Sequence, residues 1–196
     1  MAVTIANYSI NGANPSTVGG TGTAIKYFPN LPGPSIGVAN TTPSSTSSSG
    51  QLLVPGNNQL NGQPFSVLAS GNITAGSGGG STTITVAIYA NTAAVGVTPS
   101  YTTLATGSFA AEVVDGVAYP FSIKMELEGD SGSGIVQGTQ FVLIDNVVET
   151  ATAAISHALT GINFATNPPF GLVCGVTFGT SESGNSASLY RFSIEA

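Results

Sequence analysis

The chain has 196 residues, of which 41 % are hydrophobic and 6 % charged, and its formal net charge is −6. Soluble domains usually carry about 25 % charged residues, yet Lys26 is the single charged residue before position 112. Three cations cannot neutralise a phosphate backbone, and no apolar run reaches the length of about 18 residues that a membrane span needs, so nucleic-acid binding and a spanning helix are excluded. Net charge and mixed surface charge normally keep a monomer dissolved. A chain with so few charges is therefore typical of a subunit that is built into an assembly.

Residue preferences favour β-structure along the whole sequence. Tyr, Phe, Val, Ile and Thr are common, Gly, Pro and Asn mark turns, and the Leu/Glu/Lys/Arg/Gln runs of long helices are absent. We predict an all-β protein, an antiparallel jelly-roll-like β-sandwich with an extended N-terminal arm. Cys174 is the only cysteine and lies in an apolar run, so we predict a buried thiol and no internal disulfide.

Residues 1–50 form the predicted arm. This segment is rich in Pro, Gly, Ser and Thr and ends in a Ser/Thr run, a composition that excludes a helix and supplies few core residues. Such an arm can lie on a neighbouring subunit and add a strand to an exposed sheet edge. Its apolar side chains would otherwise face water, and they are the predicted partner contacts: Ile25, Tyr27, Phe28, Leu31 and Ile36.

Residues 51–196 form the predicted β-sandwich domain, because apolar residues alternate with period two between turn signals. The clearest strand is 121–128, in which the odd-numbered apolar side chains point inward and the even-numbered polar ones outward. In 188–196 we predict that Tyr190, Phe192 and Ile194 share one face and alternate with Arg191, Ser193 and Glu195. A short helical turn is predicted for 146–154, and about eight strands at this spacing fit a jelly roll.

Few residues offer chemistry. Glu126, Glu128 and Asp130 form the densest carboxylate cluster, with neighbours on one face about 6.5–7 Å apart. That spacing suits an inverting glycosidase, a cation site that would need further oxygens, or a plain solvated strand face, which we favour because Lys124 lies beside them. The one histidine, His157, has no nucleophile motif beside it and is interpreted as a structural or surface residue. We therefore expect no catalytic residue, no cofactor and no metal, and hence no enzyme.

Several segments resemble small β-rich virion structural proteins of tailed bacteriophages. They are Phe65–Thr74, the glycine-rich tip at 76–80, Ser81–Tyr89, Leu104–Ser108 and the ending Ala187–Ala196. The resemblance implies a capsid decoration, or cement, protein on the virion surface, commonly a homotrimer, made in the cytoplasm of the host bacterium. Its implied partners are the major capsid protein and other copies of itself, with no nucleic acid and no membrane.

Two other interpretations use the same β scaffold. The first is a tail, baseplate or fibre component that binds a host surface glycan, with tyrosines such as Tyr89 and Tyr101 as a stacking platform. Packed core or interface aromatics are the competing interpretation of those tyrosines. The second is a secreted adhesive module, which the absence of a visible secretory signal disfavours.

Overall fold

A computed structural model describes the strands of the chain and part of the connections between them. The described residues are 4–9, 16–19, 25–28, 52–54, 64–74, 76, 83–91, 101–109, 116–129, 135–145, 147–158, 170–182 and 184–195. The strands are β1 (Thr4–Ser9), β2 (Ser16–Gly19), β3 (Lys26–Tyr27), β4 (Leu52–Val54), β5 (Phe65–Thr74), β6 (Ile84–Asn91), β7 (Tyr101–Phe109), β8 (Ala118–Gly129), β9 (Ile135–Ile144), β10 (Val147–Ala158), β11 (Phe170–Phe178) and β12 (Ser186–Glu195). In these ranges we find no helix that is long and apolar enough to cross a membrane.

The strands form two sheets in which every pair is antiparallel. One sheet has the order β1-β12-β5-β8-β9-β10, with β2 also on β12, and the other has the order β3-β11-β6-β7, with β4 also on β11. Strands distant in sequence pair as nested couples, β5 with β12 and β6 with β11, which is the jelly-roll-like feature. The predicted all-β antiparallel sandwich is confirmed.

The core lies between the two sheets and is built by alternate residues of each strand. In β8, Phe121, Ile123, Met125 and Leu127 are at most 3 % exposed, while the residues between them face outward, as predicted. Cys174 of β11 is also in this core, fully buried. Burial raises the pKa of its thiol far above the ordinary range, because a thiolate there would lose its hydration.

The predicted placement of Tyr190 on the same face as Phe192 and Ile194 is wrong. Leu189 pairs with Gly71, but Arg191 pairs with Ser70, so β12 carries one extra residue at Tyr190. A β-bulge of this kind shifts every later side chain to the other face relative to a regular strand. Leu189 and Phe192 are consequently both buried, and the hydroxyl of the half-buried Tyr190 accepts a hydrogen bond from Asn72 Nδ2 at 3.0 Å.

The predicted helical turn at 146–154 is also wrong, because β10 occupies this stretch and pairs with β9. Val147 lies opposite Ile144, so a two-residue connection joins the strands. Asp145 in that connection has φ of 51°, a left-handed conformation that Asp tolerates and that tight hairpin turns require. The β-branched residues of β10 suit the pleated strand better than a helix.

The strands of residues 1–50 pair with strands of residues 51–196. β1 and β2 lie end to end along β12, and β3 lies along β11, with β4 next to it. Phe28, just after β3, is fully buried in the core, and its backbone N–H donates to the carbonyl oxygen of Cys174 at 3.1 Å. Without these partners, β11 and β12 would each have an unpaired edge. An unpaired edge can pair with another chain and so promotes aggregation. A domain boundary at residue 50 stays a prediction.

One buried amide joins two connections at an end of the sandwich. Asn185 is 1 % exposed; its Oδ1 accepts from the backbone N–H of Gly76 at 2.9 Å, and its Nδ2 donates to the carbonyl oxygen of Thr180 at 2.9 Å. A Cβ at Gly76 would meet the Cα of Gly184 at 2.8 Å, so the two connections touch closely. Asn185 thus fastens the segment after β5 to the turn between β11 and β12.

Candidate functional site

The outer side of the five-stranded sheet carries no charge in its three longest strands. The sequences of β6, β7 and β11 contain no Asp, Glu, Lys or Arg. We call the outward side of these strands the uncharged face. Its exposed part is rich in hydroxyl groups: Thr103, Thr106 and Ser108 are exposed, and Thr85 Oγ1 lies 2.8 Å from Ser108 Oγ.

A small apolar cluster occupies the rest of the uncharged face. Ala87, Tyr89 and Val173 are buried there, and the partly buried Ile25 and Tyr101 pack against them. The Tyr89 and Tyr101 rings meet edge to face, with centroids 6.3 Å apart and planes 66° apart. This is the geometry of a packed aromatic pair, so these tyrosines form no flat stacking platform.

The outer side of the seven-stranded sheet, by contrast, carries charged and polar side chains in cross-strand rows. Lys124 of β8 lies opposite Phe141 of β9, and Glu126 lies opposite Thr139. In the next row Glu128 lies opposite Gln137. Directly opposite residues have Cβ atoms about 4.5–5.5 Å apart, so each row brings two side chains into contact range.

Two ion pairs lie on this side of the sheet. Lys124 Nζ donates to Glu126 Oε1 at 2.7 Å, with both side chains more than half exposed. Arg191 donates to Glu195 Oε1 at 2.7 Å and so lies along β12 over the intervening Ser193, which is fully buried. Pairs this exposed add little to stability.

Two adjoining hollows follow the β8–β9 rows. One, of about 320 Å³, is lined by Lys124, Glu126 and Phe141 among others, and the second, of about 260 Å³, by Glu128 and Gln137 among others. They share Glu126 and Thr139. We call the combined depression the polar groove, with the lining side chains Lys124, Glu126, Glu128, Gln137, Thr139 and Phe141.

The predicted partner contacts have different positions. Phe28 is inside the chain's own core, and Ile25 packs on the apolar cluster of the uncharged face. The backbone of Tyr27 pairs with Gly175 in β3–β11. Leu31 and Ile36 lie outside the described residues. Contact of any of these five with another chain stays a prediction.

The candidate chemical residues that the structure describes lie in two strands, β8 and β10. Glu126 and Glu128 point outward as predicted, while Asp130 lies outside the described residues. His157 belongs to β10, where it pairs with Val136. Within the part of the chain that the structure describes, no three His, Cys, Asp or Glu side chains are close enough to hold a metal ion.

Sequence reasoning missed the position of Phe141. The apolar run from Phe141 to Ile144 looks continuously buried, yet Val142 and Ile144 face the core while Phe141 is half-buried on the outer side. The signal that would have located it is the pairing of this strand with β8, because Lys124 lies directly opposite.

No protein-family model and no curated protein matches the sequence. Among solved structures, the chain is similar to the CBM2 module of the evolved Dit of Lactobacillus casei BL23 phage J-1, with 13 % identity and a TM-score of 0.44 over 99 % of this chain and 95 % of that one. It is also similar to an alginate lyase of Pseudomonas aeruginosa, with 14 % identity and a TM-score of 0.32 over 87 % of this chain and 81 % of that one. At these scores neither similarity carries an inference about this chain, whose fold is defined by its own strand pairing.

Proposed function

We propose that the protein is a non-enzymatic virion structural protein of a tailed bacteriophage that decorates and stabilises the capsid shell. The observation that carries this proposal is the difference between the two outer sides of the sandwich. The exposed part of the uncharged face offers hydroxyl groups, and its apolar cluster is buried, whereas the charges of β8 and β12 lie on the opposite side. A protein bound between a shell and water needs two such unlike surfaces.

The chemistry of the uncharged face suits contact with protein. Hydroxyl groups such as those of Thr103 and Ser108 both donate and accept hydrogen bonds, and they lose less on leaving water than charged groups do. Each contact is modest, but many equivalent copies on one shell add cohesion through multivalent attachment. The major capsid protein is the proposed partner of this face.

The N-terminal segment contributes to assembly in the same proposal. Of the five predicted contact residues, Ile25, Tyr27, Leu31 and Ile36 remain the proposed contacts with the shell or with another copy in a homotrimer. Phe28 serves the core of its own chain instead. Substitutions that probe assembly therefore belong at the other four positions, because Phe28→Ala would destabilise the fold by about 3–5 kcal/mol.

The experiment places a charge on each side of the sandwich and measures attachment. Thr103→Lys and Ser108→Lys change exposed positions of the uncharged face, and Thr139→Lys is the matched control on the opposite side. Particles lacking the protein are mixed with each variant, and bound protein is measured from low to high salt.

We expect the two variants of the uncharged face to lose occupancy and the control to bind as the wild type does. Wild-type occupancy should vary little with ionic strength, because few charges take part. Particles carrying the wild type should also open at a higher temperature than bare ones. Equal occupancy of all three variants, or release of the wild type at moderate salt, contradicts the proposal.

A second candidate function is a tail, baseplate or fibre component that binds a host surface glycan. The polar groove favours it, because polar side chains beside an aromatic ring are what a saccharide site uses. The two candidates differ in their place on the virion, and hence in how many copies each particle holds.

A further inference from the structure

We propose that the polar groove is a binding site for a neutral oligosaccharide. The site lies on the side of the sandwich opposite to the uncharged face. A capsid-bound copy would therefore present it to the surroundings, and a tail component would present it to the host surface. The inference rests on the groove itself and holds for either place on the virion.

The groove is long and open, which suits an elongated ligand. Its side chains follow β8 from Lys124 to Glu128, a length of about 13 Å at the rise of about 3.3 Å per residue. The two hollows of about 320 and 260 Å³ continue into one another at Glu126 and Thr139. An open depression of this length on a rigid sheet fits several linked rings lying flat better than one compact metabolite.

The polar side chains of the groove alternate between hydrogen-bond donors and acceptors, which suits a ligand that carries many hydroxyl groups. Lys124 supplies only donors, Glu126 only acceptors, and the Thr139 hydroxyl and Gln137 amide supply both. Sugar hydroxyls also donate and accept, so each can satisfy two neighbouring side chains at once. Hydrogen bonds to the charged partners are the stronger ones, and Lys124 Nζ lies 2.7 Å from Glu126 Oε1, so a ligand meets a donor and an acceptor side by side.

Phe141 supplies the apolar part of the site. Its half-buried ring lies on the outer side of β9 next to the Lys124 side chain. The C–H face of a pyranose ring can pack on such a ring while its hydroxyls reach the neighbouring polar groups, the combination of aromatic and placed polar groups found in ligand sites.

The charges of the groove favour a neutral ligand over an anionic one. Two carboxylates, Glu126 and Glu128, face one cation, Lys124, so the groove repels anionic ligands such as phosphates or uronic acids. A divalent cation would need six or more oxygens, and the described residues contain no cluster of three or more metal-ligating side chains. A neutral saccharide avoids both difficulties.

The test uses the full chain and a panel of neutral hexasaccharides of glucose, mannose, galactose and N-acetylglucosamine, with a polygalacturonate fragment as the anionic comparison. Binding is measured by titration calorimetry for the wild type, Phe141→Ala and Glu126→Gln. Leu143→Ala is the matched control, since Leu143 is also half-buried on β9 but does not line the groove.

We expect at least one neutral hexasaccharide to bind and the anionic fragment not to bind. Phe141→Ala and Glu126→Gln should each weaken binding about tenfold, the loss of roughly one stacking contact or one charge-assisted hydrogen bond, and Leu143→Ala should not. Binding to none of the panel overturns the proposal. Unchanged affinity in both groove variants also overturns it.

A second measurement needs no variant. Lys124 is acetylated with a dilute amine reagent, with and without the bound hexasaccharide, and Lys26 is the reference. Slower labelling of Lys124 alone is expected, and equal labelling with and without ligand contradicts the site. A capsid-attachment defect leaves both results unchanged, so failure of the site and failure of the proposed function are separable.

Discussion

Replacing Asn185 by alanine tests how the two connections at the end of the sandwich are held. The change removes two hydrogen bonds of 2.9 Å, to the Gly76 N–H and to the Thr180 carbonyl oxygen. Asn185 is 1 % exposed, so water cannot easily replace the lost amide. Each of the two lost bonds costs about 1–2 kcal/mol, between the net value of a hydrogen bond and the cost of an unsatisfied buried partner, so we expect a loss of about 2–4 kcal/mol in the free energy of unfolding.

The assay is thermal and urea unfolding of Asn185→Ala beside a matched control, Asn72→Ala. Asn72 is half-buried, and its Nδ2 donates a hydrogen bond of 3.0 Å to the Tyr190 hydroxyl. A loss of 2–4 kcal/mol lowers the Tm of a chain of this size by roughly 4–16 °C, and the control should lose less than half as much. If Asn185→Ala lowers Tm no more than Asn72→Ala does, the amide does not fasten these connections.

Three further predictions concern single positions. The buried Cys174 thiol should resist alkylation at pH 8 in the native protein and react after unfolding, and rapid labelling of the native protein would contradict its burial. Because burial raises the pKa of this thiol, above a pH of about 9 it ionises only in the unfolded state, so the free energy of unfolding should fall there. Gly71→Ala should destabilise strongly, because a Cβ would meet the Ser188 carbonyl oxygen and lie 2.8 Å from the Phe121 ring; a variant with wild-type Tm would refute this contact. Lys124→Met should change stability by less than about 1 kcal/mol, since its ion pair with Glu126 is more than half exposed; a larger loss in urea unfolding would mean that the pair is structural.

Part of the fold could be predicted because apolar and polar residues alternate with the same period of two as the side chains of a β-strand. β8 alternates polar and apolar residues without interruption, so its inner residues follow from period two alone. β6 is harder, since Ala87 and Tyr89 are buried on the outward side as well. A strand covered on both sides loses its alternation and gives little information on which side faces the core.

Other features depend on contacts that no local pattern shows. The bulge at Tyr190 comes from the pairing of β12 with β5, and it reverses the expected orientation of that side chain. The segment 146–154 is a strand because it pairs with β9. The groove forms only when β8 and β9 place Lys124 and Glu126 opposite Phe141 and Thr139, and these residues are separate in the sequence.

The central claim is that many copies of this chain lie on a phage capsid with the uncharged face toward the shell. Counting the chain against the major capsid protein in purified particles by quantitative mass spectrometry tests it most directly. We expect a copy number of the same order as that of the capsid subunits. A handful of copies per particle, as a tail component would give, or none at all, would contradict it.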